Sequence, residues 1–251
     1  MMCKCRSGQI LILTALTIAV LIISTEIYLY RLSETRVETR YDLLCDYVQN
    51  IRLGSRHVME ASLANITWGG SNQSLSNNLE RWSSFLMGEY CFGSCILNST
   101  PRNVSPYSSG LWIDWSSDGR GTSSACSLFE FRLMGREVDV NLTYTVNVTT
   151  TLLVSGSYSI VGGEEKRLEV WCRVLNEGNP ALAGNITLLY LKGGQWRDPV
   201  GLPDYTCMDY GNGTYFFSFS EVIPGNVVTV SARCYDRRTI YVQAEAECRE
   251  G

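Results

Sequence analysis

The sequence lacks most of the side chains on which enzyme active sites depend. His57 is the single histidine among 251 residues, whereas serine and cysteine hydrolases of the usual kind need a histidine base. A metal site built from several histidines is excluded for the same reason. No Gly-Lys-Ser or Gly-Lys-Thr stretch occurs, so a nucleotide-binding phosphate loop is not indicated. We therefore expect a protein that is not an enzyme and carries no cofactor or metal, and we interpret His57 as a solvated helix residue.

Strong charge of either sign is missing as well. The formal net charge is -4 and the isoelectric point is about 5.2, and the arginines are scattered along the chain instead of clustered. Such a chain offers no basic surface for a phosphate backbone, so we expect no nucleic-acid partner. The neighbouring carboxylates Glu164 and Glu165 lie in a glycine-containing stretch and are interpreted as solvated, not as an acid/base pair.

Cysteines are abundant, and their placement indicates an oxidising compartment. Cys3 and Cys5 precede an apolar segment, and an even number follows it in two groups of four. None of them shows the paired spacing with histidine that a zinc site needs. We predict a disulfide framework, with the pairing left open, among the eight later cysteines. These are Cys45, Cys91, Cys95, Cys126, Cys172, Cys207, Cys234 and Cys248.

Asparagine-linked glycosylation motifs point to the same compartment. Eight of the 14 asparagines begin an Asn-Xaa-Ser/Thr motif, whereas the 44 serines and threonines would produce only about 2.5 such motifs by chance. All eight follow the apolar segment. We predict glycosylation at Asn65, Asn72, Asn98, Asn103, Asn141, Asn147, Asn185 and Asn212.

The apolar segment covers residues 10–30 and is interrupted by one acid, Glu26. Its helical length of about 30 Å matches the hydrocarbon core of a bilayer. Lys4 and Arg6 precede it, so the positive-inside rule places the N-terminus in the cytoplasm and the C-terminal ectodomain outside the cell. A cleaved secretory signal is the alternative, with its best cleavage site near Ala19, but the hydrophobic run continues through that site. We predict a single-pass anchor in the cell membrane.

The residues just before this segment, Lys4-Cys5-Arg6-Ser7-Gly8 followed by Gln9, resemble the class III signal of archaeal type IV pilin-like proteins. The resemblance implies cleavage between Gly8 and Gln9 on the cytoplasmic side, with the helix kept on the mature subunit. It also implies self-association through the N-terminal helix. Leu13 occupies the position where mature pilins often carry a glutamate, which departs from the pattern and bears mainly on filament assembly.

Beyond the membrane the apolar pattern first has a helical period and then a period of two. Apolar residues from Val37 to Val58 recur at three and four residues, which predicts a stalk helix to about Ala64, and a second helix is predicted over residues 76–90. Alternation over residues 111–115 and 127–133 predicts a hairpin, followed by strands to residue 161. The fold class is therefore α+β: a transmembrane and stalk helix with an antiparallel β head.

The last third of the chain follows a predicted linker at Gly162-Gly163-Glu164-Glu165. It contains strand patterns near residues 168–174, 185–191, 227–234 and 239–246, and the stretch at residues 209–219 turns into a further strand. The turn at residues 176–180 and the stretch at residues 209–215 resemble immunoglobulin-like repeats of prokaryotic surface proteins. The resemblance implies a C-terminal β-sandwich. We predict an anchor at 1–31, a stalk and head at 32–161, and an immunoglobulin-like domain at 164–251.

The expected role is structural or adhesive, in a glycoprotein of the cell envelope that contacts other envelope proteins or glycans. A pilin-like filament subunit is one alternative. A ligand-binding receptor or lectin-like ectodomain is another, and it would need a tryptophan-lined surface, for which Trp112 and Trp115 are candidates. The loop from Asp114 to Gly119 imitates the start of a calcium loop but lacks its final glutamate, so we interpret it as a hairpin turn.

Overall fold

A computed structural model describes residues 6–89, 93–135, 139–202 and 204–251. The chain divides into two compact units, Met1–Leu53 and Gly54–Gly251. The helices are α1 (Arg6–Thr67) and α2 (Ser74–Glu89). The strands are β1 (Gly93–Pro101), β2 (Leu111–Trp115), β3 (Arg120–Gly135), β4 (Asp139–Gly162), β5 (Glu165–Asn176), β6 (Asn179–Pro180), β7 (Ala183–Lys192), β8 (Gln195–Arg197), β9 (Thr206–Asp209), β10 (Thr214–Val222), β11 (Val228–Asp236) and β12 (Tyr241–Glu250).

The first unit is helical and contains the apolar segment. Within α1, Thr14–Arg31 is long and apolar enough to cross a membrane, and none of it is buried by protein. Its hydroxyl groups are turned back onto the helix: Ser24 donates to the carbonyl of Leu21 at 2.9 Å, and Thr25 donates to the carbonyl of Ile22 at 2.8 Å. These bonds satisfy the hydroxyl donors of Ser24 and Thr25, which lowers the cost of placing them in an apolar medium.

The second unit begins within α1, whose residues 54–67 pack against α2 and the sheet. Met59 and Leu63 are fully buried on this face. Ser55 is also buried, and its hydroxyl lies 3.0 Å from the Tyr144 hydroxyl and accepts a hydrogen bond from the Trp82 indole at 3.1 Å. Both predicted helices are therefore present, the first ending at Thr67 and the second covering Ser74–Glu89.

A large, curled, mostly antiparallel sheet forms the rest of this unit. Its main path runs β8-β7-β11-β12-β4-β5-β10-β9, and β3 pairs with β1, β2 and β4. Strand β4 joins the two parts because residues 139–153 pair with β3 and residues 150–162 pair with β5. The one parallel pair on the path connects the end of β12 to β4. The α+β class is confirmed.

The largest core lies inside the curl of this sheet. Alternate residues of β4, β5, β7, β10, β11 and β12 point inward, with Phe217, Phe219 and Leu168 among the largest fully buried side chains. An immunoglobulin-like sandwich is not confirmed, because the strands belong to one curled sheet. Residues 162–165 form the tight turn between β4 and β5, with Gly163 at φ 60°, in place of the linker that we expected. The division into a head and a separate C-terminal domain stays a prediction.

Candidate functional site

All eight predicted glycosylation asparagines lie among the described residues, and all eight are exposed. The most informative are those inside strands, where alternate positions are buried. Asn98 in β1 follows Leu97, which is 2% exposed, and Asn147 in β4 precedes Val148, which is fully buried. A register shift of one residue would have turned either asparagine inward. The fold therefore leaves every one of these motifs accessible for modification.

Six cysteines of the described residues have free thiols in this structure: Cys45, Cys126, Cys172, Cys207, Cys234 and Cys248. The disulfide framework stays a prediction. Cys95 is buried in β1, and Cys91, Cys3 and Cys5 lie outside the described residues.

Three of these thiols face the inside of the curled sheet. Cys172, Cys234 and Cys248 occupy fully buried positions of the main core, where a cysteine acts as a small apolar side chain. Burial raises the pKa of Cys234 to about 12 and that of Cys248 to about 11, and it raises the pKa of Cys172 further. Such thiols are poor nucleophiles.

Four aromatic side chains form a row on the outside of the second unit, and we call them the aromatic row. Trp68 at the end of α1 lies 4.8 Å from Tyr235 of β11, measured between ring centroids. Tyr235 lies 5.0 Å from Tyr241 of β12, which lies 5.0 Å from Trp115 of β2. Trp68 is 64% exposed and Trp115 is 40% exposed. The row therefore presents a continuous aromatic surface to solvent.

Two polar groups of the aromatic row are held by the protein itself. The indole of Trp68 donates to the Thr239 carbonyl at 2.8 Å, and the Tyr241 hydroxyl donates to the Gln243 side chain at 2.7 Å. The ring faces are the part of the aromatic row that is open to a ligand. Gln243 and the exposed Arg233 lie directly beside them in neighbouring strands. Apolar faces bordered by hydrogen-bonding groups are typical of binding surfaces.

A depression of about 450 Å³ lies on the opposite side of β2 from Trp115. Trp112 and Tyr107 form its aromatic wall, with their rings edge to face at 6.1 Å. The remaining lining comes from strands β3, β4 and β5 and the turn that follows β5: Arg120, Asn147, Thr149, Thr151, Leu153, Leu175, Glu177 and Gly178. We call this feature the Trp112 depression. The sequence predicted one surface around Trp112 and Trp115, but residues three apart in a strand face opposite sides, so the structure separates them.

An ion-pair cluster connects α1 to the hairpin between β11 and β12. The Arg238 guanidinium lies 2.6 Å from a Glu177 carboxylate oxygen and 2.8 Å from buried Asp236, and it is 3.6 Å from Glu60. His57 stays exposed, with Nδ1 3.3 Å from Glu60. Each carboxylate therefore has a cationic neighbour, which is the arrangement expected of a structural cluster.

The loop that imitates a calcium site is the turn between β2 and β3. The Asp118 carboxylate accepts a hydrogen bond from the backbone of Arg120 at 3.2 Å, while the Asp118 backbone donates to the Ser116 hydroxyl at 3.2 Å. The pKa of Asp118 is lowered mainly by a hydrogen bond between its carboxylate and the Ser116 side chain, and further by the bond from the Arg120 backbone. The carboxylate is thus used by its own turn, as the hairpin interpretation predicted.

No family model matches the sequence. Comparison with curated proteins gives no significant match either. Function is therefore argued from the geometry of this chain alone.

Proposed function

We propose that the protein is a non-enzymatic, membrane-anchored glycoprotein of the cell envelope with a structural or adhesive role. Its N-terminus lies in the cytoplasm and its second unit lies outside the cell. The observation that carries this proposal is the exposure of all eight glycosylation motifs in a chain that also has an unburied apolar helix.

The apolar helix supports the membrane part of the proposal. Thr14–Arg31 is mostly apolar and none of it is buried by protein, and a helix of this kind needs lipid or another protein around it. Its serine and threonine hydroxyls donate to helix carbonyls, as at Ser24 and Thr25. A lipid environment therefore leaves no hydroxyl donor of these two residues unpaired.

Mass analysis of glycopeptides from native membranes tests this proposal. We expect glycans on several of the eight asparagines, and digestion by an external protease of intact cells that removes the second unit but leaves the N-terminus. Unmodified peptides at all eight positions, or full protection from the protease, would overturn it.

A glycan-binding ectodomain is a second candidate, which the aromatic row favours. The pyranose ring of a sugar has an apolar C–H face that stacks on aromatic rings, and its hydroxyls can bond to Gln243 and Arg233. We expect the Trp68→Ala variant to lose binding to immobilised envelope polysaccharide. The matched control is Trp171→Ala, because Trp171 is 43% exposed but lies in β5, outside the row. Equal binding by the two variants would exclude the row as the binding surface.

A pilin-like subunit is the third candidate, and helix α1 supports it. One helix of 62 residues carries both the apolar segment and the stretch that packs on the sheet, as the resemblance implies. Processing after Gly8 predicts that the mature protein starts at Gln9. A mature chain that starts at Met1 would remove this candidate and leave the anchored glycoprotein in place.

A further inference from the structure

We infer that the glycan on Asn147 is seated in the Trp112 depression, so that the chain's own modification is the ligand of this cavity. The inference rests on the proposed glycosylation. Asn147 is itself part of the lining, together with Tyr107 and Trp112. A sugar attached there therefore starts inside the cavity and not beside it.

The side chain of Asn147 is held in one orientation. Its Oδ1 accepts hydrogen bonds from the Tyr107 hydroxyl at 3.2 Å, the Ser124 hydroxyl at 3.2 Å and the Thr149 hydroxyl at 3.3 Å. Ser124 and Thr149 are in turn only 2.6 Å apart. Because the oxygen is fixed by protein, the amide nitrogen Nδ2, to which an N-linked sugar is joined, is left for the glycan.

The cavity wall fits a sugar ring in both chemistry and size. Trp112 is half-buried and offers aromatic surface, while the Thr149 and Thr151 side chains of β4 and the Glu177 carboxylate provide hydrogen-bonding groups. A pyranose has the same division into an apolar face and a polar edge. A volume of about 450 Å³ lies in the usual range of small-molecule sites.

Asn141 provides a contrast on the same strand. It is six residues before Asn147 and therefore on the same face of β4, and it is exposed. Its neighbour across the ladder is Arg132, and it is not among the residues of the Trp112 depression. Strand β4 thus carries one glycosylation motif whose asparagine lines the Trp112 depression and one whose asparagine lies outside it.

Hydroxyl-radical oxidation of Trp112, quantified by peptide mass analysis on the folded glycoprotein, tests the inference. We expect oxidation of Trp112 to rise several-fold in Asn147→Gln, because the glycan no longer covers the ring. It should not change in Asn141→Gln. The Tyr107→Phe variant removes one hydrogen bond to the Asn147 oxygen but keeps the motif and the aromatic ring. Trp112 should remain protected there, which separates loss of the glycan from disturbance of the hydrogen bonds around Asn147.

The outcomes separate this inference from the proposed function. Equal oxidation of Trp112 in the parent and in Asn147→Gln would show that the Asn147 glycan does not cover the Trp112 depression. The glycoprotein proposal would be unaffected. An unmodified Asn147 in a chain glycosylated at other positions would also overturn this inference and leave the glycoprotein proposal in place. Absence of glycan at all eight positions overturns both. A rise in Asn147→Gln that also appears in Tyr107→Phe would assign the protection to the hydrogen bonds and reject the glycan.

Discussion

The two ends of helix α1 are both apolar, yet they meet different surroundings. The segment Thr14–Arg31 is not buried at all, whereas Met59 and Leu63 near the other end are fully buried. The difference lies in the pattern. The later stretch alternates with charged residues such as Arg56 and Glu60, which face solvent or the ion-pair cluster, while Glu26 is the one charged residue of the earlier segment before Arg31 at its end. The spacing of the apolar residues, more than their number, decides whether a helix is covered by its own chain or by lipid or another protein.

The largest effect that would sharpen this comparison is expected at Leu63. Leu63→Ala should lower the free energy of unfolding of the second unit by about 2–5 kcal/mol, because it removes a fully buried side chain. Leu21→Ala, in the unburied segment, should change it by less than about 0.5 kcal/mol. Urea unfolding in detergent, followed by tryptophan fluorescence, measures both. Similar losses in the two variants would break the comparison.

The second prediction places a charge in the middle of the apolar segment. Ile22→Arg should shift the protein from the membrane fraction to the wash in alkaline extraction, because a central arginine costs about 2.5–3.5 kcal/mol of insertion free energy. The control is Ile160→Arg, since Ile160 is an equally exposed isoleucine of β4 at 53% against 54%. If Ile22→Arg remains bound as firmly as Ile160→Arg, the segment is not an anchor.

The third prediction concerns close packing in the later part of the helix. A Cβ atom at Gly54 would lie 2.4 Å from the Trp82 ring, and that ring is fixed by its bond to Ser55. Gly54→Ala should therefore destabilise the second unit by about 1–3 kcal/mol. Gly88 in α2 has open space around it, so Gly88→Ala should stabilise by about 0.4–1 kcal/mol. Thermal unfolding of the pair measures the signs, and stabilisation by Gly54→Ala would disprove the contact.

The fourth prediction compares thiols of the two units. Cys45 in α1 is exposed, and Cys234 is buried in the core of the sheet. In the folded protein at pH 8, an alkylating reagent should modify Cys45 and leave Cys234 unmodified until the protein is denatured. A disulfide at Cys234, found by non-reducing peptide mass analysis, would restore the framework that the sequence predicted.

The same thiol also predicts a dependence of stability on alkaline pH. The pKa of Cys234 rises from 9.0 to about 12 on folding, so between these values the unfolded chain binds fewer protons than the folded one. Stability is therefore complete below about pH 9 and falls as the pH rises towards 12, by at most about 1.4 kcal/mol per pH unit. Cys234→Ala should show a shallower fall in urea unfolding, and an unchanged slope would contradict the assignment.

The elements of the fold were largely predictable, because each rests on local pattern. The helices ending at Thr67 and Glu89 and the hairpin of β2 and β3 follow from spacing at three, four and two residues. The turn at residues 162–165 was misjudged as a linker, since a glycine pair with two acids fits either a tight turn or a flexible connection. Only the pairing of β4 with β5 distinguishes them.

The candidate sites were predictable only in part. Exposure of the four glycosylation motifs that lie in strands follows from polar positions in an alternating pattern, and the other four lie in α1, turns or loops. The aromatic row was missed except for Trp115, because Trp68, Tyr235 and Tyr241 are far apart in the chain and give no common local signal. The Trp112 depression beside Asn147 was missed because Tyr107, which forms part of its wall, contacts Asn147 from a loop that is distant in the sequence.

By itself the sequence determined the apolar segment, the helical and strand periods and the accessible asparagines, all of which depend on residues close together in the chain. The tertiary structure decided which cysteines lie in the core as thiols, which aromatic rings share a surface, and which asparagine faces a cavity. These depend on strand register and on the curl of one sheet, where a shift of one residue reverses the face of every side chain.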